Sequence, residues 1–161
     1  MGGAVGQDRA VAPLMLTACG GFLLAVLWMD LLFDVQVLKK RTGDLPEDVL
    51  ASIAAYYRRV TTTSRPMGRL VALVMATTLV TLAVELVKGA PRVPVLASFA
   101  LGGAPIVGAV AKTFRDAARL GARGDDIATQ SRLARSIYRE HVAYVLGIAA
   151  FIGLQMASAA A

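Results

Sequence analysis

Two carboxylates, Asp30 and Asp34, interrupt the otherwise apolar run Leu23–Lys40, LLAVLWMDLLFDVQVLKK. Four residues apart on an α-helix, they share one face, roughly 6 Å apart along the axis. The single histidine, His141, and its neighbour Glu140 stand at the start of another apolar run. Two acids and an imidazole support three kinds of chemistry. The acids can form structural ion pairs with Arg69, Arg135 or Arg139 and so fix helix packing. Asp30, Asp34 and His141 can instead form a catalytic or proton-relay site, since imidazole titrates near neutral pH. Asp30, Asp34, Glu140 and His141 could also hold a hard or borderline divalent ion. Against the metal, no HExxH or paired ExxH motif is present, and neighbours such as Glu140 and His141 point about 100° apart on a helix. No cofactor is specified by these residues.

The elements carrying these groups are apolar helices. Of 161 residues, 57% are hydrophobic and 17% charged, against nearer half and a quarter in soluble domains. The excess lies in four stretches, Ala10–Met29, Leu70–Val84, Val93–Ala111 and Val142–Ala161. About 20 apolar residues cross the roughly 30 Å hydrocarbon core. The expected fold is therefore all-α, a four-helix transmembrane bundle forming a single integral membrane domain over residues 1–161, with spans near 11–38, 66–87, 95–112 and 137–157. Residues 1–9 read as a short loose tail.

Between the first two spans, Asp44 and Glu47 read as a capping box with Pro46 in the first turn. The segment 46–60 then repeats apolar residues at helical spacing (Val49, Ile53, Tyr56/Tyr57, Val60). It is too short and polar to span, so it reads as an amphipathic interfacial helix, with Tyr56 and Tyr57 at headgroup depth and Arg58 and Arg59 toward acidic lipid. In the third span, Gly102, Gly103 and Pro105 predict a kink near Leu101–Pro105, and the helix should run on to Leu120 and stop at Gly121. Asp125 or Asp126 should cap the helix leading into the fourth span. Small-residue stripes (Thr17/Gly21/Ala25, Ala100/Ala104/Gly108, Ala149/Gly153/Ala157) suit close helix approach and point to other membrane subunits, or a second copy, as partners beside the lipid bilayer. The third span should be the most enclosed.

Lysines and arginines set the orientation. The connections Lys39–Arg69 and Lys112–Arg139 carry seven each, Lys88–Arg92 two, the N-terminal tail one and the C-terminal end none. An even number of spans with both termini outside the bacterial inner membrane follows. Asp30, Asp34, Arg69, Arg139, Glu140 and His141 then fall at one depth in the cytoplasmic half. A charge at mid-membrane costs about 2.5–3.5 kcal/mol on insertion scales, so such groups seek partners.

The net charge of +6 is explained by these flanks. With no basic segment interleaved with aromatics, nucleic acid is not a partner. The one cysteine, Cys19, excludes an internal disulfide and a multi-thiolate metal site. Leu16–Cys19 fits a lipobox, but the run stays apolar past the cysteine to Leu38, which favours a structural thiol over a lipidated one. No G-x-S-x-G, P-loop or dinucleotide motif occurs.

The stretches LLFDVQVL, ASIAAYYRRVTT and SRLARSIYREH resemble those of uncharacterised four-span bacterial inner-membrane proteins. The resemblance implies a membrane location and no activity. The expected function is a non-catalytic accessory subunit or self-associating bundle. The alternative is a small membrane enzyme or proton-coupled transporter using Asp30, Asp34 and His141.

Overall fold

The computed structural model describes residues 3–160, with side chains from Val11 onward. It is all-α, and no strand occurs among the described residues. Five helices follow in order. α1 is Gly3–Asp34, extended by a tight 3-10 turn over Val35–Lys39. α2 is Glu47–Arg58, ending in a π turn over Arg59–Thr63. α3 is Arg65–Val87. α4 is Arg92–Ala122 and α5 is Ile127–Ala160. All but α2 are long and apolar enough to cross a membrane. α1 already begins at Gly3, so residues 3–9 are helical where a loose tail was expected. Met1 and Gly2 lie outside the described residues.

The helix ends have local causes. Lys40 is extended and Gly43 takes φ +70°, which stops α1. The capping box does not form. Pro46, with ψ 146°, holds the flanking position of α2, and Asp44 makes no cap bond. The Glu47 side chain pairs with Arg123 instead. Glu47 and Asp48 still meet the positive end of the helix dipole. Asp126 caps α5, its Oδ1 accepting the Thr129 N–H at 2.6 Å.

α4 contains two π turns, Phe99–Gly103 and Ala109–Thr113. The first sits immediately before Pro105, which has no N–H to give the preceding turn, and it is the irregularity expected at Leu101–Pro105. The helix passes through Gly121 and ends one residue later, with Arg123 left-handed at φ 53°.

α1 lies along α5 and also against α3, while α2 packs on the end of α4. Glycines permit the close approaches. A side chain on Gly20 would meet Ile152 and Phe151, and one on Gly102 would meet the Phe151 ring. The stripe residues Gly21, Ala100 and Ala104 do not make the close contacts within the chain. Gly20, not Gly21, faces α5, and Ala100 and Ala104 are exposed. α4 nevertheless has the largest buried share of the four long helices.

Most apolar side chains of α2 are covered by protein. Val49, Leu50, Ile53, Ala54 and Tyr57 are buried, and all but Ala54 belong to one core with Leu120 and Ile137. The N–H of Leu45 donates to Ser131 Oγ at 2.9 Å, tying the preceding loop to α5. Two smaller cores continue along the bundle, one around Leu23, Ile106 and Ile148, the other around Leu16, Leu82 and Phe151.

Candidate functional site

Asp30 and Asp34 lie one turn apart on α1 and face the junction of α2 and α5. Asp34 is completely buried. Its Oδ1 accepts the Tyr57 hydroxyl at 2.6 Å, and its Oδ2 lies 2.7 Å from His141 Nδ1. Asp30 Oδ1 accepts the Tyr56 hydroxyl, also at 2.6 Å. The second ring nitrogen, His141 Nε2, is 4.0 Å from Asp30 Oδ2. Adjacent tyrosines on α2 thus serve acids one turn apart on α1. Phe33 stacks on Tyr56 at 4.0 Å, and Tyr56 meets Tyr57 edge-on at 5.3 Å, which fixes both phenols.

An ionised Asp34 can only accept, so the Nδ1 facing it carries the proton. The neutral ring then presents the Nε2 lone pair toward Asp30. A second proton on Nε2 makes an imidazolium held between two carboxylates. Asp30 and His141 also line a hollow of about 50 Å³, with Tyr144 and apolar side chains that include Leu27, Ile106 and Phe114.

Glu140 belongs to a separate network. Its Oε1 accepts the Ser136 hydroxyl at 2.8 Å and its Oε2 the Thr113 hydroxyl at 2.7 Å, and Lys112 pairs with it. Lys112 also reaches Asp116 at 2.8 Å. The four candidate metal ligands are therefore not brought together, and no group of three His, Cys, Asp or Glu among the described residues is arranged to hold a metal ion. The cause is the helical offset between Glu140 and His141.

The arginine pairing is corrected as well. Among the described residues neither Asp30 nor Asp34 pairs with an arginine. Arg135 Nη2 donates to the Lys40 carbonyl at 2.9 Å, Arg139 Nε to the Arg135 carbonyl at 3.3 Å, and Arg69 is exposed. Arg139 is two residues from His141, about 200° round the helix, and cannot share its face.

Tyr56 and Tyr57, which sequence reasoning did not connect to the acids, hydrogen-bond to Asp30 and Asp34. The available signal was their own chemistry, since a buried phenol seeks an acceptor. Burial raises both phenols well above the ordinary tyrosine value. The charge of Asp30 adds to this at Tyr56 and that of Asp34 at Tyr57. An unfolded chain ionises its tyrosines near pH 10. Stability from these two phenols is thus complete below about pH 10 and is lost as pH rises beyond it. In an alkaline titration of phenolate absorbance, the amplitude missing from a Tyr56→Phe Tyr57→Phe double variant should appear only as the protein unfolds. Reversible ionisation of that amplitude near pH 10 in folded protein contradicts the arrangement.

Compared with models of known protein families, with curated proteins and with solved structures, the chain matches none.

Proposed function

We propose that this chain is a small polytopic membrane protein that binds and releases a proton at Asp30, His141 and Asp34, in the manner of a proton-coupled transporter or a small membrane enzyme. One observation carries the reading. Each side chain hydrogen-bonded to the two acids is itself protonatable: Tyr56, Tyr57 and His141. Among the described residues no guanidinium or ammonium pairs with either acid, so the charge of the cluster changes only when protons move. An acid locked to arginine would serve packing alone. The lysine and arginine distribution supports a bacterial inner-membrane location with both termini outside, with the cluster in the cytoplasmic half and α2 at the cytoplasmic surface.

The test is infrared spectroscopy of the protein reconstituted in lipid, titrated between about pH 4 and 9, which spans ordinary carboxylate and imidazole values. A protonated-carboxyl band that changes with pH is expected. It should be altered by Asp30→Asn and Asp34→Asn and displaced along the pH axis by His141→Gln. Spectra that do not change with pH would sink the proposal.

A second reading, an accessory subunit or self-associating bundle, is favoured by the outer faces of α1 and α5. Gly21 and Gly153 are exposed, and a side chain on either would meet nothing within 4 Å. Ala25, Ala149 and Ala157 are exposed beside them. Faces of this kind suit the close approach of another helix.

A further inference from the structure

On the far side of α2 from the acids, a hollow of about 460 Å³ opens between α2, its π turn and the end of α4. Arg58, Arg59 and Arg123 line it, with Thr62, Thr63 and the backbone of Gly121. We infer that this hollow is a phosphate-binding site, taking either the headgroup phosphate of an anionic lipid or a free phosphate anion.

Charge is the first argument. Three arginines line one hollow, and among the described residues a single carboxylate, Glu47 on Arg123, pairs with any of them. Arg58 and Arg59 are exposed and form no ion pair among the described residues. Like charges brought together repel unless an anion joins them, and guanidinium forks match phosphate oxygens. The second argument is an unmet donor. Arg123 Nη1 is buried with no hydrogen-bond partner among the described residues. Such a donor is costly to leave unmade, and solvent does not reach it, so only an acceptor drawn in against the Arg123 guanidinium would relieve it. The third is conformation. Arg123 holds the left-handed position after a helix, φ 53°, where glycine is usual. Gly124 follows immediately, yet the chain places an arginine at the position glycine would take more cheaply.

The occupant would bridge α2 to α4 at the point where their backbones meet. Two surroundings separate its sources. The full chain is placed in phosphatidylcholine nanodiscs, and its thermal midpoint is compared in inorganic phosphate and in chloride of equal ionic strength. The comparison is repeated in phosphatidylglycerol nanodiscs. A bound anion at ten times its dissociation constant should raise the midpoint by about 3–6 °C. The rise should be lost in Arg58→Gln and Arg59→Gln and kept in Arg132→Gln, an exposed arginine elsewhere on α5. A rise from phosphatidylglycerol that leaves added phosphate without effect identifies the headgroup. A rise from phosphate in both lipids identifies the soluble anion. No rise in either lipid, or a rise indifferent to Arg58→Gln and Arg59→Gln, overturns the site.

Discussion

Asp34→Ala should lower the stability of the folded protein by about 2–6 kcal/mol, the cost of leaving two buried hydrogen-bond donors without their acceptor. Asp34 is completely buried and satisfies two donors, the Tyr57 hydroxyl and His141 Nδ1. Alanine removes both acceptors at once. Each orphaned group costs about 1–3 kcal/mol, and the space left by the carboxylate cannot be filled by either ring without moving a helix. Asp34→Asn should behave differently. Its amide oxygen can still accept from Tyr57, and its NH₂ can donate to Nδ1 once the imidazole carries its proton on Nε2. The asparagine variant is therefore expected within about 1 kcal/mol of the parent. It should nevertheless lose the pH-dependent carboxyl signal of the intact cluster. Equilibrium unfolding in detergent separates the two variants, and a cycle with Tyr57→Phe isolates the hydroxyl–carboxylate coupling. If alanine and asparagine cost the same, the hydrogen bonds do not set the stability of this junction. If asparagine leaves the infrared titration intact, the proton resides elsewhere.

The long helices were legible in the sequence because twenty apolar residues in a row admit few alternatives. The common level of Asp30, Asp34 and His141 along the bundle was legible too. Asp30, Asp34 and His141 meet because α1 runs one way, α5 the other, and their charges sit near the same end. What α2 does was not legible. Val49, Ile53 and Tyr57 make an apolar face whether the surface opposite is lipid or protein, and periodicity alone does not distinguish them. Once Leu120 and Ile137 take that face, the tyrosines necessarily turn inward to the acids. The arginines were assigned by depth without azimuth. Arg139 and His141 share a level but not a side of the helix. The exposure of Ala100 and Ala104 on α4 has its own cause. A π turn adds a residue to the helical repeat and rotates all that follows it, and the turn at Phe99–Gly103 lies within the Ala100/Ala104/Gly108 series. Spacing four therefore no longer keeps one face there, and Gly102 and Gly103 become the buried pair.

Gly121→Val is expected to detach α2 from the bundle and to cost at least about 3 kcal/mol, the upper end of ordinary overpacking penalties. A Cβ at Gly121 would lie 2.7 Å from the Arg58 nitrogen, 3.0 Å from its Cα and 3.1 Å from the Tyr57 carbonyl carbon. All three are backbone atoms, so no side-chain rotation relieves the clash, and the helices must separate. Tyr57 sits at that contact with its hydroxyl 2.6 Å from Asp34. A shift of even 1 Å lengthens that bond beyond useful range. The result should be faster hydrogen exchange along α2, an exposed Tyr57 and an Asp34 carboxylate open to water. Gly121→Ala should show the same changes in weaker form. Gly124→Ala, three residues on with nothing within 4 Å of a new side chain, should change none of them. Gly121 thus tests whether the acids are held by α1 and α5 alone or need α2 pressed against them. If Gly121→Val unfolds only α2 and the infrared titration survives, the proton site belongs to the two long helices and the tyrosines merely cover it. If the titration is lost with α2, the phenols are part of the site.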